Sequence, residues 1–158
     1  DDGNIWGGEF FNYETHKIER INHIAYFDWL LGDKMAKEPR LSLLSLASDE
    51  MMGVLKEKFS PNELKTYQSL KKTNLLKTSS AGRLFDAVAS LLNITDYNTY
   101  EGEAAILLEN SISSYDLKSC KSYLSAPEKG ISATEIIKNK YDDFQNGNPK
   151  DHPIFVFE

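Results

Sequence analysis

The sequence predicts an α+β fold, a β-hairpin followed by several helices and a closing strand, on three observations. Residues 5–13 and 17–27 are rich in β-branched and aromatic side chains. From residue 38 onward, Ser, Pro and Glu recur in the order that starts helices. The chain closes on Ile154, Phe155, Val156 and Phe157, a short apolar run of strand character.

In chain order, residues 12–16 supply turn chemistry between the two arms of the hairpin, and Gly7-Gly8 marks a bulge or a close backbone approach. Residues 28–37 form a loop carrying Gly32. Glu38-Pro39 starts the first helix with proline at its first position, and Leu43, Leu44, Ala47 and Met51 continue one apolar face. Ser60-Pro61-Asn62-Glu63 is a capping box that starts a second helix running to about residue 72. A third helix starts near Ser80 and a fourth near Glu101. Ser132 with Glu135 starts a weaker helix to residue 140, and residues 142–151 are a polar loop. The chain divides into a hairpin (1–27), a helical part (38–115) and a weaker helical and loop tail (116–158). A strand that closes a segment ordinarily pairs with something outside it, so the expectation is an internal piece of a larger domain.

Hydrophobic residues make up 41% and charged residues 27%, as in an ordinary globular domain. Eighteen Lys and Arg against 24 Asp and Glu give a net charge of −6, which speaks against a general binder of nucleic acid or anionic membrane. That balance leaves room for a nucleotide, since a few amides and one cation suffice for a phosphate. The single cysteine, Cys120, cannot form an intramolecular disulfide, and no apolar run is long enough to span a bilayer. The opening Asp1-Asp2-Gly3-Asn4 is acidic where a signal peptide would be basic, so the cytoplasm is the expected compartment.

Three stretches have the residue types of a ligand site. In Thr78-Ser79-Ser80-Ala81-Gly82-Arg83-Leu84-Phe85-Asp86, Ser79 and Ser80 precede a helix whose free amides can meet an anion. Gly82 removes a side chain from its first turn. Leu84, Phe85, Val88, Leu91 and Leu92 form the apolar face, which puts Arg83, Asp86, Ala87 and Ser90 on the opposite, solvent-facing one. The plainer reading is a capped amphipathic helix with an exposed Arg83–Asp86 pair. In Tyr100-Glu101-Gly102-Glu103, Glu101 can accept from ribose hydroxyls, or the two carboxylates simply favour a helix start. In Gly32-Asp33-Lys34-Met35-Ala36-Lys37-Glu38-Pro39-Arg40, Asp33, Glu38 and Arg40 order a ligand loop or form a solvated helix start. His16, His23 and His152 lack metal-ligand spacing with each other or with Cys120, so no metal site is expected in this chain. No residue stands out as a nucleophile, and the catalytic group stays unassigned.

Together with the opening Asp2-Gly3-Asn4-Ile5-Trp6-Gly7-Gly8-Glu9-Phe10, these stretches resemble, in order, the HypF family of hydrogenase-maturation carbamoyltransferases. The family patterns are D-G-x-x-W-G-G-E-F, G-G-D-x-A-x-x-E-P-W-R, T-S-S-A-G-R-L-F-D-A-V-A-A-L-L and Y-E-G-Q-A-A. Here Leu31 replaces one glycine of the second pattern, no Trp separates Pro39 from Arg40, Asn93 stands where a helix-ending glycine is usual, and Glu103 replaces Gln. The resemblance implies an actin/hexokinase-like fold shared with the threonylcarbamoyl transferases that modify tRNA. It implies an enzyme that makes carbamoyl adenylate from carbamoyl phosphate and ATP. The carbamoyl group then passes to the C-terminal cysteine of HypE, toward a cyanide ligand of nickel–iron hydrogenase. Asp86 matches an aspartate that contacts the nucleotide in the related tRNA enzymes, and Gly102 falls at their Gly-Gly loop. The metal-binding histidine pair and aspartate implied for the intact domain match nothing in this chain. The segment alone is therefore expected to be inactive. A tRNA threonylcarbamoyl transferase-like enzyme and a catalytically silent interaction module are the alternatives.

Overall fold

The computed structural model describes residues 2–111 and 131–146. The closing strand expected at residues 154–157, Cys120 and His152 lie outside the described residues. Two arms, β1 (Glu9–Glu14) and β2 (Lys17–His23), form the expected antiparallel hairpin. Thr15 and His16 turn the chain with φ of 42° and 69°, the paired left-handed conformations of a two-residue hairpin turn. The bulge falls between Phe10 and Phe11, not at Gly7-Gly8. The glycine pair serves the other expected use, a close backbone approach to the segment before Ser80.

A second, two-residue pairing joins β3 (Phe27–Asp28) to β4 (Lys77–Thr78). The supposed loop before residue 38 carries a short helix, α1 (Lys34–Lys37), entered through Leu31 and Gly32 at φ of 59° and 58°. Helix α2 (Pro39–Leu46) begins on Pro39 and is buried on every side, as befits the central helix of a domain. The continuous helix expected through Met51 breaks instead at Ala47, whose backbone is extended, and Met51 belongs to a separate 3₁₀ turn, Asp49–Met51. The apolar spacing carried across the break because Met51 still reaches the same core.

Helices α3 (Met52–Lys58) and α4 (Pro61–Thr73) follow, α4 with both hydrogen bonds of the Ser60–Glu63 capping box. Helix α5 (Ala81–Leu91) is capped by Ser80 and ends on a left-handed Asn93. There Asn93 N donates to Ser90 O at 3.0 Å and Ile94 N to Ala89 O at 2.9 Å, a Schellman closure with Asn in glycine's place. Helix α6 (Glu103–Asn110) starts two residues later than expected, on Gly102 at φ 81°. Helix α7 (Ala133–Gln145) starts on Ser132 as expected and runs past residue 140. Leu41, Leu43 and Leu44 of α2, Leu84, Val88 and Leu91 of α5, and Ile136 and Ile137 of α7 belong to one core, with α5 and α7 packed on α2. Among the described residues no helix is long and apolar enough to cross a membrane.

Candidate functional site

The site is built on the N-terminal end of α5, where the hairpin is docked. Ile5 bridges Thr78: Ile5 N donates to Lys77 O at 2.9 Å, and Ser79 N donates to Ile5 O at 3.0 Å. Gly8 then passes so close that a Cβ there would collide with the Ser79 carbonyl oxygen and stand 2.7 Å from Ile24 Cδ1. Only glycine fits between these two walls. The Glu9 carboxylate gathers the joint, accepting from Gly8 N at 2.9 Å, from Arg20 Nη2 at 3.3 Å and, over a short bond, from Ser79 Oγ. Arg20 in turn lies 4.1 Å over the Trp6 ring and donates to Tyr26 Oη at 2.8 Å. Asp2 accepts from Tyr26 Oη at 2.6 Å and from Trp6 Nε1 at 3.0 Å, and the Tyr26 bond above all holds its carboxyl well below the usual carboxylate range. The Asp2-to-Glu9 stretch is thus a clamp on Ser79.

The free amides expected over residues 79–82 are mostly engaged. Ser79 N is taken by Ile5 O, Ser80 N by Thr78 Oγ1 at 3.1 Å, and Ala81 N by Gly7 O at 3.1 Å. The Ser80 cap occupies Arg83 N at 3.3 Å. Among the described residues the Gly82 amide alone in this run has no partner, and Gly82 is exposed. The anion-binding capacity that remains is one amide and the Arg83 side chain, because hairpin docking has used the others.

Asp86 does not lie on an exposed face. It is 1% exposed, and Ala87 and Ser90 beside it are fully buried. The exposed Arg83–Asp86 pair is therefore a buried one: Arg83 Nε stands 2.9 Å from Asp86 Oδ2, aligned too poorly for a hydrogen bond. Burial pushes the Asp86 carboxyl up to about 6, against the opposing pull of Arg83 and a bond from Asn98.

What covers Asp86 is the segment between α5 and α6. Asn98 Nδ2 donates to Ala36 O at 2.9 Å and reaches Asp86 Oδ1 at 3.4 Å, while its Oδ1 accepts from Ala104 N at 3.1 Å. Its backbone N donates to Lys37 O at 2.8 Å. The segment is pinned again by Asp96, which accepts from Ser90 Oγ at 2.6 Å and Lys58 Nζ at 2.9 Å. Neither Asn98 nor Asp96 was singled out by the sequence patterns; a short polar residue ahead of a helix start was the one available signal for Asn98.

Glu101 is exposed just before α6, and Gly102 caps that helix. Glu103 accepts from both the amide and the hydroxyl of Thr99, the causes that hold its carboxyl below the usual range. Asp33 is exposed at the head of α1. Glu38 and Arg40 do not join it. Arg40 is 5% exposed and donates to Glu38 Oε2, to Glu63 Oε1 at 3.2 Å and to Lys58 O at 2.7 Å, with Phe59 and Tyr97 rings 4.6 and 4.8 Å away. A guanidinium so fully engaged braces α2 against α4; a solvated helix start at Arg40 is ruled out by its burial.

A cleft of about 460 Å³ opens elsewhere, between Asp28, Ser48, Asp49, Gln68 and Lys71. Among the described residues no three His, Cys, Asp or Glu side chains cluster as metal ligands would.

Residues 1–157 match the family model described as "Carbamoyltransferase, Kae1-like Domain, second subdomain". A probable carbamoyltransferase HypF of Methanocaldococcus jannaschii is 40% identical over 116 residues, 68% of this chain and 15% of that protein. The carbamoyltransferase HypF of Rhodobacter capsulatus is 36% identical over 113 residues, 69% of this chain and 15% of that protein. The chain thus spans about 15% of the length of these relatives. A crystal structure of full-length HypF in a phosphate- and nucleotide-bound form superposes with a TM-score of 0.79 at 28% identity, covering 92% of this chain and 24% of that one. With the family model matched along nearly its whole length, this chain belongs to the HypF carbamoyltransferase family.

Proposed function

We propose that this chain supplies part of the nucleotide-binding wall of an ATP-using carbamoyltransferase with an actin/hexokinase-like fold, working in the cytoplasm. In the intact enzyme water releases inorganic phosphate from carbamoyl phosphate, leaving carbamate; a carbamate oxygen then attacks the α-phosphate of ATP, forming carbamoyl adenylate as the bond to the β-phosphate breaks and pyrophosphate leaves. The C-terminal cysteine thiolate of HypE then attacks the carbamoyl carbon; a C–S bond forms, the C–O bond to phosphate breaks, and AMP leaves. The observation that carries this reading is the convergence of three family segments on Asn98 and Asp86, beside an Arg83 side chain and a Gly82 amide with no other partner among the described residues.

In this arrangement the Gly82 amide and the Arg83 guanidinium neutralise phosphate or polarise the carbamoyl oxygen, where preorganised donors act most strongly. Asp86, buried beneath the 95–100 segment, fixes Arg83 from behind, and the exposed Glu101 accepts from the ribose hydroxyls. Gly102 keeps the head of α6 free of a side chain. A metal ion, where the intact domain holds one, takes its ligands from residues that this chain does not supply, and none of these roles depends on it.

The test is carbamoyl-phosphate-dependent ATP–pyrophosphate exchange and carbamoylation of HypE by the full-length protein. Arg83→Ala should lower exchange by about 100-fold, the scale set by loss of one charge-stabilising donor. Exchange at the wild-type rate in a folded Arg83→Ala protein removes the nucleotide from this wall.

A further inference from the structure

Asn98 occupies a position that no family pattern marks, yet it is where three of the family segments meet. One amide side chain joins the end of α1 through Ala36 O, the buried carboxylate of α5 through Asp86 Oδ1, and the start of α6 through Ala104 N. Its own amide adds a bond to Lys37 O at 2.8 Å. At or beside these three elements stand Asp33, Arg83 with Asp86, and Glu101 with Gly102, and Asn98 lies 62 residues from Ala36 and 12 from Asp86.

We propose that Asn98 is a positioning residue for nucleotide binding, setting the α1 loop, Asp86 and the head of α6 in one frame; this rests on the nucleotide reading of the wall. Asn carries a donating NH2 and an accepting carbonyl oxygen as two separate atoms of one short side chain, and here both are used. The donor end faces a carbonyl and a carboxylate, and the acceptor end faces a helix-start amide that would otherwise go without a partner. Aspartate in its place keeps the acceptor for Ala104 N but loses both donated bonds and sets a second carboxylate against Asp86. Alanine loses all the bonds of the side chain but adds no repulsion.

This gives an ordering that a purely structural cap does not. If Asn98 only caps α6, Asp is the better substitute, because Asp and Asn are near-equal caps and Ala is poor. If Asn98 positions Asp86, Asp is the worse one. The experiment measures binding of a non-hydrolysable ATP analogue, and KM for ATP against kcat, in the full-length enzyme at pH 8, with Asn98→Ala and Asn98→Asp. Asn74→Ala serves as a comparison, since Asn74 bonds Asp28 and Leu76 away from this wall.

Affinity should fall by about tenfold in Asn98→Ala, the scale of its one bond to Asp86, and further in Asn98→Asp, with KM raised more than kcat is lowered. Asn74→Ala should keep wild-type affinity. Affinity equal to wild type in Asn98→Ala, or higher in Asn98→Asp than in Asn98→Ala, overturns the positioning role. If Asn98→Ala fails to fold, Asn98→Asp carries the test alone: wild-type affinity in it overturns the proposal. Asp86→Asn separates the two ideas. Lost affinity there with wild-type affinity in both Asn98 variants removes Asn98 and leaves the wall. Wild-type affinity in Asp86→Asn, Arg83→Ala and the Asn98 variants removes the wall and the proposal together.

Discussion

Arg83 and Asp86 stand one turn apart on α5 with Nε and Oδ2 at 2.9 Å, and the two side chains retain only 12% and 2% of their exposure. A pair with this spacing on a helix surface contributes a few tenths of a kcal/mol. Withdrawn from water it becomes a different object, since each charge has given up hydration and depends on the other. The 95–100 segment, laid over α5 by Asp96 and Asn98, produces that change.

The first prediction concerns pH. Burial raises the Asp86 carboxyl from 3.8 to about 6, so the folded state holds this proton more tightly than the unfolded chain does. Its contribution therefore favours folding below about pH 4 and is lost as pH rises toward 6, by up to about 3 kcal/mol. Denaturation of wild type and Asp86→Asn from pH 4.5 to 7.5 should show the variant gaining on wild type across that window. A pH-independent difference would mean that Asp86 is ionised throughout.

The second concerns two glycines of opposite character. At Gly8 a Cβ meets the Ser79 carbonyl oxygen and Ile24, whereas at Gly82 the nearest heavy atom is Ser80 Oγ at 3.7 Å. Gly8→Ala should cost about 2 kcal/mol or more, because backbone blocks the methyl group. Gly82→Ala should be neutral or stabilising by up to about 1 kcal/mol on helix propensity. With folding preserved, weaker nucleotide binding by Gly82→Ala in the full-length protein would report close ligand approach directly. Unchanged binding would remove Gly82 from the site.

The third concerns Leu31, which stands where the family pattern has glycine and takes the left-handed conformation at φ 59°. A bulky residue there is strained by about 1–2 kcal/mol, and glycine's own flexibility returns part of this. Leu31→Gly should therefore stabilise by about 0.5–1 kcal/mol in chemical denaturation. Gly32, at φ 58° with open space around it, should lose about 1 kcal/mol on change to Ala through backbone strain alone. No loss in Gly32→Ala would place that residue outside the left-handed region.

Local chemistry was legible and distant chemistry was not. Ser60 with Glu63, Ser80, Ser132 and the left-handed Asn93 each act within four residues of themselves, and the sequence reads them correctly. The break at Ala47 was hidden because Met51 keeps the apolar rhythm from a new element. Strand β4 was hidden because two residues carry no period, and its partner lies some fifty positions earlier. Asp86 read as exposed because its cover, Asn98, belongs to a loop.

The last prediction follows from Arg40, which belongs to the loop pattern by sequence and to the core by structure. Its Nε and Nη2 donate to Glu38 Oε2 at 3.1 and 2.9 Å, and its Nη1 donates to Lys58 O at 2.7 Å. Arg40→Ala leaves the Glu38 carboxylate, 13% exposed, with only the more exposed Lys34 as its cation and the last carbonyl of α3 without its donor. Breaking a buried pair in this way should cost about 3–5 kcal/mol. Arg40→Lys keeps the charge but loses the planar fork and the stacking on Phe59 and Tyr97, so its cost should be intermediate. Urea denaturation orders the three proteins. A ligand role predicts the reverse signature, with stability kept in Arg40→Lys and nucleotide affinity lost. Because every guanidinium nitrogen already donates within the fold, stability should fall in step with the bonds removed, and affinity should follow only as far as the folded fraction does.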